Sequence, residues 1–200
     1  MSDPTKVSRR LVAVFAADVE GYSRLMGADE VGTLKGLTER RAILDKLIED
    51  HGGRIANTAG DSVLAEFGSA VDAVQCAAVA QTALAEANSS QAPDRRICFR
   101  IGIHIGDVMV RAGDLFGDGV NIAARLQSVA KPGGVCISGA TYDQVRKVLQ
   151  VTWTLAFSRL GTFKSPFGPI GWVRRAKRER LLRRVLLTLR ARLRCPTSPP

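Results

Sequence analysis

The sequence lacks the features of several large protein classes. None of its apolar runs is long enough to cross a membrane, and the longest, such as residues 11–17, have the length of a strand. The first residues, MSDPTKVSRR, are polar and charged, which argues against a secretory signal. The length of 200 residues and an ordinary apolar fraction of 46% fit one globular domain. We therefore expect a cytoplasmic protein with a single sizeable core.

Cysteine and histidine are scarce and are not grouped. The four cysteines have neither paired nor metal-type spacing. Three of them, Cys76, Cys98 and Cys136, lie in apolar stretches, where a cysteine is usually a small core residue. The two histidines, His51 and His104, are far apart and have no neighbouring ligands. The sequence thus predicts no disulfide and no zinc site, as expected in a reducing compartment.

Positive charge is in excess only at the C-terminus. The formal net charge is +10, and residues 174–200 hold ten Arg or Lys and one Glu, so +9 of the total lies there. This segment has three interpretations: an amphipathic basic helix that touches anionic lipid or nucleic acid, a solvated appendage, or a coding accident. We expect no specific nucleic-acid binding, and membrane contact only under the first interpretation.

Hydrophobic periodicity predicts an alternation of strands and helices. Strand-like runs are residues 11–17, RIANT, SVLAEF, RICFRIGIHIGDVMV and VCIS. Helical spacing covers about residues 30–49 and 70–86, and then VNIAARLQSVA and ATYDQVRKVL. GDLFGDG, rich in glycine, is predicted to be a loop. The first part is a βαββαβ pattern, which is typical of an α+β, ferredoxin-like core with an antiparallel sheet.

Topology alone predicts that two aspartates meet. A right-handed crossover makes the first two strands parallel, so the turn between strands two and three lies at the sheet edge where strand one ends. Asp18 ends strand one, and Asp61 lies in that turn. Two carboxylates at one edge suit divalent cations such as Mg²⁺, which can activate a hydroxyl and neutralise a departing pyrophosphate. Taken singly, each aspartate also has a structural explanation, as a helix N-cap or a turn residue.

The segment VEGYS, directly after Asp18, is a candidate phosphate site. Backbone amides at the start of a helix bind phosphate oxygens. Gly21, Tyr22 and Ser23 are therefore predicted to bind the substrate, and Val19 is included with the aspartates in the predicted metal site.

Four segments resemble, in order and spacing, the signatures of class III adenylate cyclases. They are FAADVEGYSRLMG, NTAGDSVLAEF, GIHIGDVMV and DLFGDGVNIAARLQ. The resemblance covers residues 9–147, with a fainter extension to about residue 173. Within the family, the sequence is similar to a bacterial subgroup. The resemblance implies a cyclase catalytic domain over residues 1–173, with a C-terminal extension of the cyclase type, and a basic tail at 174–200.

The resemblance also implies a role for each matched residue. Asp18 and Asp61 match the two aspartates that bind two divalent ions, Mg²⁺ or Mn²⁺. Asp114 matches the residue that accepts a hydrogen bond from the adenine amino group. Asn121 matches the asparagine that orients the ribose, and Arg125 matches the arginine that stabilises charge on the transferring phosphate. The last two are four residues apart on one predicted helix, so they share a face.

The implied reaction converts ATP to 3′,5′-cyclic AMP and pyrophosphate. Family sites form between two chains, with the aspartates from one subunit and the Asn–Arg pair from the other. Since this chain carries both halves, the resemblance implies a homodimer with two equivalent sites. The alternative is a weakened or inactive cyclase-like module that binds nucleotide and dimerises.

Two positions depart from the family pattern. Asn57 stands where the family has a lysine that selects adenine; asparagine is shorter and uncharged, and it presents both a donor and an acceptor. This change is compatible with weaker ATP selectivity, with another purine, or with loss of activity. Lys164, in the degraded motif FKSPFGPIGWV, is the candidate lysine for the triphosphate.

Overall fold

The structure, a computed structural model, describes residues 8–149. Three sequence predictions lie outside the described residues: the C-terminal extension, Lys164, and the basic segment 174–200. The predicted boundary at residue 173 lies outside them as well, so the division of the chain stays a prediction.

The described residues form six strands, five α-helices and one short 3-10 helix (Pro93–Arg95). The strands are β1 (Ser8–Val19), β2 (Gly53–Ala59), β3 (Ser62–Phe67), β4 (Phe99–Arg111), β5 (Asp114–Phe116) and β6 (Val135–Ile137). The helices are α1 (Tyr22–Ala28), α2 (Glu30–Asp50), α3 (Ala70–Ala87), α4 (Asp118–Val129) and α5 (Gly139–Val145). The structure confirms the predicted order of elements. It differs at GDLFGDG, where residues 114–116 pair with β4 as a short strand rather than forming a loop.

The sheet has the strand order β2-β3-β1-β4-β5, and β6 pairs in parallel with β4. The neighbours β2–β3, β3–β1, β1–β4 and β4–β5 are antiparallel. The first four strands therefore have the ferredoxin-like arrangement, and the predicted α+β class with an antiparallel sheet is confirmed.

Side-chain caps determine where the two long helices begin. The Asp29 carboxylate accepts a hydrogen bond from the Gly32 amide (2.9 Å) and starts α2. The Ser69 hydroxyl accepts one from the Asp72 amide (3.3 Å) and starts α3. Both caps satisfy amides that the first turn of a helix leaves without a partner. Each of the two helices then buries one apolar face, which includes Leu37, Leu44 and Ile48 in α2 and Ala73, Ala77 and Leu84 in α3.

One face of the sheet forms the main core with α2 and α3. Its largest fully buried side chains include three aromatics and several aliphatics: Phe15, Phe67, Phe99, Leu44, Ile48, Leu84, Ile101 and Ile103. The rings of Phe15 and Phe67 lie 5.8 Å apart, centre to centre. Full burial of each such side chain contributes about 1.5–3 kcal/mol, so this face anchors the strands that carry the candidate site.

The other face of the sheet holds a second, smaller core under α4. It contains Val12, Val14, Ala16, Val108, Leu115 and Ala123. The helix lies very close to β4 at Gly102, where an added Cβ would be 2.2 Å from both the Ala123 carbonyl oxygen and the Gln127 amide nitrogen. Only glycine allows this approach, and the approach brings α4 close to the end of β1.

The sheet curls until its two edge strands meet. β2 and β5 lie at opposite ends of the strand order, yet the Asn57 side chain bonds to the Asp114 side chain, and Arg54 bonds to the Gly113 carbonyl. A bulge in β2 contributes, because the register shifts between Ile55 and Asn57. Bulges increase the local twist of a strand and redirect its side chains.

Two further expectations concern the described residues. Cys76, Cys98 and Cys136 are free thiols, and Cys76 is buried, in line with its predicted place in the core. Among residues 8–149, no helix is both long and apolar enough to cross a lipid bilayer.

Candidate active site

The two predicted metal ligands lie together at the end of β1. In the β1–β3 ladder, Ala17 pairs with Val63, so Asp61 falls opposite Val19. The Asp61 carboxylate accepts a hydrogen bond of 3.1 Å from the Val19 amide. Asp61 follows Gly60, whose φ of 58° gives the tight turn between β2 and β3. The structure therefore places Asp18 and Asp61 together, as the topology predicts, through the β1–β3 pairing, the turn at Gly60 and the bond from the Val19 amide.

The Asp18 carboxylate is held by two polar side chains. Arg100 donates from Nε and Nη2 at 3.1 and 2.9 Å, and the Gln127 amide also donates to it. Burial is the main cause of a raised pKa at the Asp18 carboxyl, and the Arg100 guanidinium opposes this shift. The negative charges of Asp61 and Glu20 raise the pKa further. Arg100 thus offsets part of the cost of burying the Asp18 carboxylate next to two other acidic side chains.

Sequence reasoning missed both Arg100 and Gln127. Arg100 is the direct cross-strand partner of Asp18 in the β1–β4 ladder. Its position follows from the register, which periodicity does not give. Gln127 is 8% exposed on the buried face of α4. Its two-residue offset from Arg125 places the two side chains on different sides of the helix.

The amides predicted to bind phosphate start the short helix α1. Gly21 precedes this helix in the left-handed conformation, with φ 65°, and no side chain caps it. The Gly21 carbonyl accepts bonds from the amides of Arg24 (3.0 Å) and Leu25 (3.1 Å). Among the described residues, the first-turn amides at Tyr22 and Ser23 thus have no capping acceptor, as a helix start that receives an anion requires.

The two predicted base-reading residues contact each other. Asn57 Nδ2 donates to Asp114 Oδ2 at 2.9 Å, and the Leu115 amide donates to Asp114 Oδ1 at 2.9 Å. A carboxylate only accepts, so the nitrogen end of the Asn57 amide must face it. The second N–H of Asn57 Nδ2 and the Asn57 amide oxygen do not take part in this bond.

Asn121 and Arg125 lie on the exposed face of α4. Ala123 and Gln127, on the opposite face of the same helix, are buried. The structure therefore confirms that Asn121 and Arg125 share a face, and it places that face away from Asp18 of the same chain. A single described chain brings together the aspartates, and separately the base-reading pair, but it does not bring the Asn–Arg pair to the aspartates.

The donor set at the end of β1 fits a hard divalent cation. Asp18 and Asp61 supply carboxylate oxygens, which Mg²⁺ and Mn²⁺ prefer. Within residues 8–149, no group of three or more His, Cys, Asp or Glu side chains could hold a metal by itself. Mg²⁺ typically uses one or two carboxylates and completes its shell with water and substrate phosphates, so two aspartates are a sufficient protein contribution.

Comparisons with known proteins agree with this geometry. The adenylate and guanylate cyclase catalytic domain matches residues 6–164. A Rhizobium meliloti (strain 1021) protein, provisionally named adenylate cyclase 3, is 51% identical over 140 residues, 70% of this chain and 24% of that protein. The adenylate cyclase of Streptomyces coelicolor is 34% identical over 146 residues, 72% of this chain and 36% of that protein.

A solved structure shows the same fold. It is the adenylate/guanylate cyclase/hydrolase from Silicibacter pomeroyi, with a TM-score of 0.70 and 37% identity, and the match covers 85% of this chain and 94% of that one. This chain spans well under half the length of the two curated relatives. The matched family domain extends over most of the chain and contains the aspartate pair, the base-reading pair and the exposed face of α4. The chain therefore belongs to the adenylate and guanylate cyclase catalytic domain family.

Proposed function

We propose that the chain is an adenylate cyclase that converts ATP to 3′,5′-cyclic AMP and pyrophosphate at sites formed between two copies. The observation that carries the proposal is the meeting of Asp18 and Asp61 at one sheet edge, beside the uncapped start of α1. Carboxylates next to free amides provide for both a divalent cation and a phosphate chain.

In this proposal Asp18, Asp61 and the Val19 main chain hold two Mg²⁺ or Mn²⁺ ions. The chemistry that these ions supply when bound is activation of the ribose 3′-hydroxyl and neutralisation of the phosphate charge. Arg100 and Gln127 position Asp18, since each donates to its carboxylate. The amides of Gly21, Tyr22 and Ser23 bind phosphate oxygens.

The Asn–Arg pair acts on the partner's substrate. Because Asn121 and Arg125 lie on the face of α4 opposite Gln127, they point away from Asp18 of their own chain. A second copy is therefore needed to complete the site. In it, Arg125 would stabilise the charge that develops on the α-phosphate, and Asn121 would orient the ribose.

The base-reading pair favours adenine. Asp114 accepts from the exocyclic amino group of the base, and the free N–H of Asn57 donates to the adjacent ring nitrogen. Its orientation is set by its other N–H, which is bound to Asp114. Guanine has a carbonyl oxygen in place of that amino group. The Asp114 carboxylate would repel this oxygen. In this proposal Asn57 donates the hydrogen bond that the lysine donates in the family, but Asn57 carries no positive charge.

The first test is product analysis. The purified chain is incubated with Mn²⁺ and either ATP or GTP, and the products are identified by mass spectrometry. Cyclic AMP is the expected product. Cyclic GMP as the main product would contradict the adenine assignment, and a folded dimer that forms neither product would contradict the enzymatic proposal.

Subunit mixing tests the shared site. Asp61→Asn and Arg125→Ala variants are each expected to be inactive as homodimers. When the two are mixed and allowed to exchange subunits, half of the dimers carry one intact site of two, so we expect about a quarter of wild-type activity to return. If the mixture stays inactive while exchange is verified with labelled chains, the two-chain site is wrong.

The free thiols of Cys76, Cys98 and Cys136 fit the proposed cytoplasmic location, where cysteines stay reduced. The C-terminal extension of the cyclase type and the binding of the triphosphate by Lys164 remain predictions from the sequence.

A further inference from the structure

The hairpin that carries Asp114 is joined to the opposite edge of the sheet by an arginine. Arg54, on β2, donates from Nη1 to the Gly113 carbonyl oxygen at 2.8 Å. The same guanidinium donates from Nε to the Glu66 carboxylate at 2.8 Å. One side chain therefore links β3, through Glu66, to the tip of the β4–β5 hairpin. We call this Glu66–Arg54–Gly113 connection the strap.

Glu66 is a rigid anchor for the strap. Its side chain is 8% exposed, and its Oε1 accepts from both Arg54 (2.8 Å) and Arg10 (3.0 Å). A buried carboxylate needs such partners because it has left water. Arg10 and Arg54 are similarly exposed, at 48% and 44% of their side chains, but Arg54 alone of the two has a bond to the hairpin among the described contacts.

The bulge in β2 makes the strap possible. Arg54 pairs with Glu66 and Asn57 pairs with Leu64, although they are three residues apart, because the register shifts between Ile55 and Asn57. In a regular strand, residues three apart point to opposite faces. With one extra residue inserted, Arg54 and Asn57 point to the same face, where one reaches Gly113 and the other reaches Asp114.

The hairpin tip is strained, and the strap holds it. Arg111 pairs with Asp114, which leaves Ala112 and Gly113 as a two-residue turn with φ 51° and 85°. These values are those of a type I′ turn, which normally has Asn, Asp or Gly at its first position. Alanine disfavours this conformation, and the bond from Arg54 to the Gly113 carbonyl is a contact from outside the hairpin that helps to hold the turn.

The bond to Gly113 acts directly on Asp114. The Gly113 carbonyl and the Asp114 amide belong to one planar peptide unit, so fixing the carbonyl oxygen fixes the plane from which the Asp114 side chain extends. We propose that Arg54, anchored by Glu66, is a positioning residue for base selection: it holds the Asp114 carboxylate against Asn57. This inference rests on the proposed function, because it assigns Asp114 to the base.

The test compares Arg54→Met with Arg10→Met in the full chain. Each variant leaves Glu66 with one arginine, so the two match in the charge that they remove, and only the first cuts the strap. Hydrogen exchange is measured for the amides of residues 107–117. We expect faster exchange there in Arg54→Met and unchanged exchange in Arg10→Met. Equal exchange in both variants would overturn the inference.

Base preference is measured by binding, so that no turnover is needed. The probes are 3′-deoxy-ATP and 3′-deoxy-GTP, which lack the attacking hydroxyl, in the presence of Mg²⁺. Loss of one hydrogen bond predicts a fall in the ATP-over-GTP preference of about 3- to 10-fold in Arg54→Met. Arg54→Lys is expected to recover part of the preference. In an Asp114→Ala background, Arg54→Met is expected to have no further effect, because the strap acts through Asp114.

The outcomes separate the two proposals. If Arg54→Met leaves the binding ratio unchanged while wild type prefers ATP, the positioning inference is wrong and the proposed function stands. If wild type forms no cyclic product but its binding preference depends on Arg54 and not on Arg10, the inference stands without the catalytic proposal. A wild-type chain that binds neither probe would overturn both.

Discussion

The two ends of the candidate site are built in different ways. At the metal end, Asp18 and Asp61 meet because β1 and β3 are neighbours in the centre of the sheet, and main-chain pairing brings them together. At the base end, Asn57 and Asp114 meet across the curled sheet from its two edges, and the connection consists of side-chain bonds. The first arrangement depends on the main chain of the central strands, whereas the second depends on individual side chains. We therefore expect single substitutions to change the proposed base preference more easily than the position of the two aspartates.

The largest effect is expected from a charge change at the metal end. Asp61→Asn keeps an oxygen that can accept from the Val19 amide, so the fold should be retained, but it removes a carboxylate ligand. We expect cyclase activity to fall by at least about 100-fold, because several kcal/mol of charge stabilisation are lost. The measurement is cyclic nucleotide formation at saturating Mn²⁺.

Asp45→Asn is the matched control for this prediction. Asp45 lies on α2, where it pairs with Arg41 at the surface, and its replacement should leave activity within about 2-fold of wild type. An Asp61→Asn enzyme that kept the activity of Asp45→Asn would refute the metal assignment.

A smaller effect on the metal end should come from packing. Gly102→Ala places a methyl group against Ala123 and Gln127, so α4 must move away from β4. We expect the free energy of unfolding to fall by about 1–3 kcal/mol, together with a loss of activity as Gln127 leaves Asp18. Chemical denaturation measures the first effect.

Gly139→Ala serves as the comparison for Gly102. An added Cβ at Gly139 meets nothing within 4 Å, and this residue begins α5. Its replacement should be neutral or stabilising by up to about 1 kcal/mol. Equal destabilisation by both substitutions would show that the close approach of α4 at Gly102 is unimportant.

At the base end, Asn57→Lys should sharpen selectivity. A lysine there restores the family's charged donor beside Asp114, and a donor of this kind predicts a gain in ATP-over-GTP preference of about 3- to 10-fold. The ratio of kcat/KM for the two nucleotides is the measurement. Thr58→Lys adds the same charge at the next residue of β2 and should leave the ratio unchanged; a similar gain there would mean that charge alone decides.

The smallest expected effect is on stability and comes from His104, which belongs to neither the metal end nor the base end of the candidate site. Burial lowers the pKa of its imidazole below the usual value. The unfolded chain then binds a proton at His104 more readily than the folded chain does. His104 therefore does not reduce the free energy of unfolding above about pH 6.5, and it reduces this free energy as the pH falls below that value. We expect the melting temperature of wild type to drop more between pH 7.5 and 5.5 than that of His104→Asn. Parallel profiles would contradict this.

Sequence reasoning predicted that the two aspartates of the metal end meet, but it did not predict that Asn57 and Asp114 contact each other at the base end. The order of strands and one handedness rule suffice to place Asp18 next to Asp61. The contact between Asn57 and Asp114 depends on a bulge after Ile55 and on a strand at 114–116 that was predicted as a loop. A single extra residue in β2 leaves no mark in hydrophobic periodicity, and a three-residue strand is too short to show one.

Arg100 shows the same limit at the metal end. Its type and its place in β4 were visible in the sequence, but its contact with Asp18 depends on the pairing register of two long strands. A shift of that register by one residue would turn Arg100 to the other face of the sheet.

Helix α4 has one more consequence in the proposed dimer. Its buried face touches Asp18 through Gln127, and its exposed face carries Asn121 and Arg125. The helix is 12 residues long, a rod of about 18 Å, so it moves as one body. In the proposed dimer, a movement of α4 that shifts the Asn–Arg pair toward the partner's substrate would also move Gln127 against Asp18 of the same chain. We therefore expect substrate binding at one of the two proposed sites to change the affinity of the other, which steady-state kinetics would reveal as cooperativity.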